Sequence, residues 1–136
     1  MSQVFYLSCR DSRRIYKSNS PSSFRVVLPS DREFIGPWEC GLVSINLFLK
    51  DVNSKNIFIS CDLVTTSYVR GRDEPILRSI PVQADGWVSF EFSNVWYIPM
   101  TTEKTDQINV RLLDDNLSPV DFVDHHLSCM IHCRQG

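Results

Sequence analysis

The chain has 136 residues, 43% of them hydrophobic and 22% charged, with a formal net charge of -2. That balance belongs to a globular protein, and a chain of this length buries roughly two thirds of its unfolded surface without needing a disulfide or a metal. Near-neutral charge argues against a dedicated nucleic-acid binder, whose basic footprint dominates its domain; no apolar run approaches the roughly 20 residues of a membrane helix.

Length predicts one domain over residues 1–136. The first strand is expected at Val4–Cys9, a β-branched and aromatic run. A polar, basic segment over about 10–23 follows and ends in Ser-Asn-Ser-Pro-Ser-Ser, the composition of an arm or loop. In Phe24–Leu28 the apolar residues Phe24, Val26 and Leu28 recur at every second position and share one face of a strand. Pro29, Ser30 and Asp31 stop that pattern, and Gly36-Pro37 restarts it in a long strand, Trp38–Leu47. Asn56–Val64 alternates again, with Ile57, Ile59, Cys61 and Leu63 on one face.

The stretch Arg70–Pro75 is predicted as a loop. Ile76–Val82 is the fifth strand, and Asp85-Gly86 after it is a hairpin signal because both positions tolerate positive φ. Trp87–Phe92 is the sixth, with Trp87, Ser89 and Glu91 on one face and Val88, Phe90 and Phe92 on the other. A polar bridge, Thr101–Asp106, leads to Gln107–Leu113; a turn at Asp114-Asp115-Asn116 follows, and His126–Arg134 is the eighth strand. No window favours the helical period over alternation.

Eight short strands with turn chemistry between them predict an all-β fold: a two-sheet antiparallel sandwich, and within that class a single eight-stranded jelly roll. An immunoglobulin-like sandwich is the structural competitor. It has seven strands and a Cys–Trp–Cys order, which Cys9, Trp38 and Cys61 satisfy only by force. The eighth strand favours the jelly roll.

Five cysteines at irregular spacings (Cys9, Cys40, Cys61, Cys129, Cys133), with no apolar leader after Met1, predict free, mostly buried thiols in a reducing compartment. The carboxyl-terminal HHLSCMIHC invites a zinc site, but strand geometry opposes it. Cys129 and Cys133 share a face yet lie about 13 Å apart at about 3.3 Å per residue, too far for one tetrahedral metal or one disulfide. The three histidines, His125, His126 and His132, all sit on that one strand, so no metal site is expected. Asp114, Asp115, Asp121 and Asp124 read as solvated turn acids, not as paired catalytic or calcium-binding carboxylates. No phosphate-binding glycine loop or nucleophile elbow occurs. No catalytic residue, no cofactor and no enzyme activity are therefore expected.

Two constellations remain. Arg10, Arg13, Arg14 and Lys17 concentrate positive charge within eight positions. They read either as a solvated arm or as a contact to an acidic protein neighbour or to nucleic acid. Trp38, Trp87, Trp96 and Tyr97 have the rings of a stacking platform. Trp38, opening a long strand after Gly-Pro, reads better as a plug at one end of the sandwich or a subunit contact.

The wording of five ordered pieces resembles a known family. These are the approach Asn19-Ser20 with Phe24, Val26, Leu28 and Pro29, then Gly36, Trp38, Glu39, Gly41 and Leu42; Leu77-Arg78-Ser79-Ile80-Pro81; Trp96-Tyr97-Ile98-Pro99-Met100; Ile108–Asp115 with Pro119-Val120-Asp121-Phe122; and a terminal strand closing at Arg134. Together they resemble the minor capsid (penton) protein of Polinton/Maverick elements and adintovirus-like viruses. This chain departs from the pattern where Cys133 replaces an aromatic and Asn116-Leu117-Ser118 replaces a turn glycine. The resemblance implies a single jelly roll forming homopentamers at capsid vertices, beside a separate double jelly-roll major capsid protein, assembled in the host nucleus or cytoplasm. The basic segment would then meet that neighbour or packaged nucleic acid, with no membrane contact. The alternative from another class is a ligand-binding β-sandwich of cellular origin, lectin-like or adaptor.

Overall fold

The computed structural model describes residues 2–9, 23–50, 52–83, 85–101, 103–120 and 127–136. Its elements are strands: β1 (Ser2–Ser8), β2 (Ser23–Glu33), β3 (Trp38–Leu49), β4 (Asn56–Cys61), β5 (Ser67–Val69), β6 (Arg72–Glu74), β7 (Ile76–Pro81), β8 (Gly86–Glu91), β9 (Ile98–Pro99), β10 (Lys104–Leu113) and β11 (Ser128–Gln135). One sheet has the order β1-β11-β3-β8, with β9 beside the start of β3; the other has the order β2-β10-β4-β7; β5 and β6 form a separate hairpin. Every pairing is antiparallel. The protein is thus all-β, with antiparallel sheets in a sandwich-like arrangement.

Period-two alternation builds the core as the sequence predicts. Ile57, Ile59 and Cys61 of β4 and Ile108, Val110 and Leu112 of β10 are buried, and they face Cys129, Ile131 and Cys133 of β11 and Leu42 and Ile45 of β3 in one apolar cluster. Removing an Ile or Leu side chain of this kind from water contributes about 1.5–3 kcal/mol. On β8 the predicted faces hold: Val88, Phe90 and Phe92 pack against the core while Trp87, Ser89 and Glu91 are exposed. Between Met130 and Ile131 a bulge lets Val43 slip out of register, so β3 turns Leu42 and Ile45, three positions apart, to the same interior.

Several expectations are corrected. Pro29 does not end the second strand: β2 runs on to Glu33, and the ladder jumps from Val27 opposite Gln107 to Arg32 opposite Thr105. The residues between bow out of the ladder, and an edge strand tolerates the missing proline N–H. The supposed hairpin at Asp85-Gly86 is a crossing between sheets, since β7 pairs with β4 and β8 pairs with β3. The dipeptide signals tolerance of positive φ (Gly86 has φ 117°) and says nothing about which strands pair. The expected loop Arg70–Pro75 is instead the second half of the β5–β6 hairpin, turning on Arg70 (φ 51°) and Gly71 (φ 81°). The fourth strand ends at Cys61, before a turn; Val64 then bridges to Met100.

The cysteine expectation holds for three residues and fails for two. Cys9, Cys61 and Cys129 are buried free thiols, and Cys40 is bridged to Cys133 as a disulfide. Register explains the miss: Cys133 stands directly opposite Cys40 on the neighbouring strand, with Cα atoms 4.3 Å apart. Spacing along one strand cannot show what its neighbour presents. Burial pushes the Cys129 thiol up to about 12 and raises Cys61 as well, so neither is a nucleophile.

Candidate interaction surfaces

The basic residues Arg10, Arg13, Arg14 and Lys17 lie outside the described residues, as do Asp121, Asp124, His125 and His126. Among the described residues no three His, Cys, Asp or Glu side chains come together as a metal site. Asp114 holds its own turn, and Asp115 ties that turn to the segment at Ser54 and Lys55. Asp114 Oδ1 accepts the N–H of Asn116 (2.8 Å) and of Ser118 (3.0 Å), while Asp115 Oδ2 accepts the Lys55 N–H (2.8 Å). That backbone bond holds the Asp115 carboxyl below its ordinary pKa. Leu117 takes φ 59°, a conformation natural to glycine. Its side chain compensates by burying itself with Ile76 and Leu113.

The third family-like piece is a structural hub. After β8 the chain crosses the outer side of β3, where Gly41 leaves room for it: a Cβ there would meet Val95 Cγ1, and would lie 2.8 Å from the Trp96 carbonyl oxygen. Tyr97 then packs edge-on against His132, with its hydroxyl 2.8 Å from His132 Nδ1. The Arg134 guanidinium lies 3.5 Å from the Tyr97 ring centre and donates to Glu39 at 2.7 Å. Glu39 and Gly41, which as sequence carry no chemistry, thereby tie the Trp38 strand to the terminal arginine.

Arg78, from the second piece, closes the flank between the two sheets. Its guanidinium sits 3.8 Å from the Phe92 ring centre and 4.2 Å from that of Trp96, and donates to the Asn94 carbonyl at 2.7 Å. Desolvation there lowers its pKa from the usual arginine value. Replacing Arg78 by methionine keeps the apolar stem and removes the stacked cation. The expected result is a stability loss of about 1–2 kcal/mol in chemical denaturation. Lysine should recover less than half of it, because an ammonium cannot stack as a plane between two rings. Full recovery by lysine would show that charge alone acts at this position.

The platform of aromatic rings does not form. Trp38 is 6% exposed, packed edge-on against Phe34 with its Nε1–H donating to the Ile35 carbonyl at 3.0 Å, the plug expected from its place after Gly36-Pro37. Trp87 meets Phe48 on the outer face of the first sheet. Trp96 is half exposed beside Arg78.

The β5–β6 hairpin joins β4 to β7 and is fastened by Arg111–Glu74 (2.8 Å), by Arg72 donating to the Leu117 carbonyl (2.8 Å), and by Arg70–Asp115 (3.4 Å). Between it and Trp96 lies an apolar groove of about 240 Å³, lined by Phe58, Val69, Ile76, Leu77 and Ile98 among others. Sequence reasoning missed this surface because a loop was expected where the hairpin stands. The available clue was Gly71 after Arg70, which permits a two-residue turn. At this groove the described residues offer shape and apolar surface. The sequence matches no protein-family model and no curated protein.

Proposed function

We propose that this chain is a vertex protein of an icosahedral capsid, a single jelly roll working as a homopentamer beside a double jelly-roll major capsid protein. The observation that carries the reading is the pair of strand orders, β1-β11-β3-β8 and β2-β10-β4-β7. Along the chain the first four strands alternate between the two sheets, and β7 to β8 and β10 to β11 cross again. Repeated crossing of this kind is what two nested Greek keys produce, and it supports the eight-stranded jelly roll. An immunoglobulin-like sandwich instead keeps its A and B strands in one sheet. The five ordered pieces supply the vertex assignment, and the interlocking of four of them gives their residue types a reason. Glu39 and Gly41, Arg78, Trp96 and Tyr97, and Arg134 meet around one segment. In this reading the protein's work is geometric and involves no catalysis.

The test is co-expression with the major capsid protein of the same genome, followed by electron microscopy of the shells. Density for this chain at the five-fold vertices is expected. Shells that close with those positions empty, or filled by another protein, would rule the reading out.

A further inference from the structure

We infer that the groove beside Trp96 docks a segment of another protein, one that sets an apolar side chain two residues from a carboxylate and delivers that carboxylate to Arg78. The inference does not depend on the vertex reading.

Arg78 is the one charged residue among the described residues that line the groove; the walls around it include Phe58, Val69, Leu77, Ile98 and the half-exposed Trp96. A guanidinium carries five N–H donors in one plane. The rings of Phe92 and Trp96 lie against this one at 3.8 Å and 4.2 Å, and a single donor goes to the Asn94 carbonyl at 2.7 Å. The rings cover its faces and leave donors in the plane between them.

No acid of the described residues takes up those donors. Arg70, Arg111 and Arg134 are paired with Asp115, Glu74 and Glu39, whereas Arg78 has no carboxylate partner among the described residues. Desolvation lowers its pKa with no neighbouring negative charge to oppose the shift. A cation drawn partly out of water and held flat between two rings is completed by an anion. A carboxylate fits best, because its two oxygens match two parallel N–H groups in the guanidinium plane.

Size and wall chemistry decide what carries that carboxylate. The groove holds about 240 Å³, below the roughly 300–1,000 Å³ of small-molecule pockets. A nucleic-acid backbone needs several cations along its track, and this groove has one. What it does suit is an anchoring side chain: tryptophan and arginine are the residue types that dominate protein–protein contacts when such an anchor fills the pocket beside them. The Ser67 and Ser79 hydroxyls, also on the lining, can bond the incoming backbone. In an extended segment side chains two residues apart share a face, so anchor and carboxylate enter together.

The experiment titrates capped heptapeptides into the isotope-labelled full chain and follows it by heteronuclear NMR. The probes are Ser-Gly-Phe-Ser-Asp-Gly-Ser, the same peptide with asparagine in place of the aspartate, and the same with lysine there; octanoate is the small-molecule control. The aspartate peptide is expected to shift the Arg78 Nε–H resonance together with the amides of Val69, Leu77 and Ile98. It should bind at least about tenfold more tightly than the asparagine peptide, and the lysine peptide should not bind. Arg78→Met, checked for folding by thermal melts, should bind the aspartate and asparagine peptides alike, an outcome that a merely structural arginine would not produce. Ser67→Trp, which fills the groove, should bind none of them. Equal affinity of the wild type for the two peptides, shifts confined to residues away from the groove, or no binding up to the solubility limit would overturn the inference. So would a preference for aspartate that survives in folded Arg78→Met, or binding of octanoate without binding of the aspartate peptide. The peptide comparison on the wild type decides the matter even if Arg78→Met fails to fold. None of these outcomes bears on the vertex role, which the shells test separately.

Discussion

Equilibrium denaturation in the presence of a strong reductant should show the protein about 4–5 kcal/mol less stable than its oxidised form. The Cys40–Cys133 bridge closes a loop with a sequence separation of 93 residues, so it restricts most of the unfolded chain. Loop closure of that length removes on the order of 15 cal/mol/K from the unfolded state. The folded state contributes little to the difference, because register already holds the two residues opposite each other on β3 and β11. Reductant must be present through the transition, since both cysteines are fully buried and the bridge is out of reach while the sheet is intact. The Cys40→Ala/Cys133→Ala variant should be insensitive to reductant and close in stability to the reduced wild type. Cys61→Ala and Cys129→Ala should keep the full response, as both are free thiols. A reductant effect below about 1 kcal/mol would show that the bridge does not restrain the unfolded chain.

The same pair shows what the sequence could reveal. Within one strand, alternation is a local property, and it placed Cys129, Ile131 and Cys133 on the buried side of β11 and Val88, Phe90 and Phe92 on the inner side of β8. Trp38 was legible for a similar reason: Gly36-Pro37 ends one element, and a large ring opening the next fills its end. Pairing between strands is non-local. Nothing in Cys40 or Cys133 announces that they share a register position, and nothing in Asp85-Gly86 announces a crossing between sheets instead of a hairpin. The β5–β6 hairpin was hidden by composition, because Arg70–Pro75 is charged on the side that makes ion pairs with Glu74's partner Arg111 and with Asp115. The groove is a product of both failures, since it needs the hairpin and the β7 flank together.

Gly41→Ala tests whether the segment crossing β3 is held by close approach. The residue lies on the outer side of a central strand, opposite His132, where polarity and strand propensity alone would accept alanine readily. Its space is already taken: an added Cβ would meet Val95 Cγ1 and stand 2.8 Å from the Trp96 carbonyl oxygen. A side-chain methyl can rotate away, but a backbone oxygen moves only if the segment moves. The expected cost is about 2–3 kcal/mol, the range of overpacking a well-filled site. Val95→Ala added to Gly41→Ala should recover only part of it, because the carbonyl contact remains. Lifting the segment also draws Tyr97 from His132 and Arg134, and Trp96 from Arg78, so the nuclear Overhauser contact between the Tyr97 and His132 rings should vanish in the variant. If the variant keeps that contact and loses less than about 0.5 kcal/mol, an ordinary surface substitution, Gly41 is a bystander. If it loses both, Gly41 is the reason that Glu39, Arg78, Tyr97 and Arg134, distant in sequence, act as one unit on this side of the sandwich.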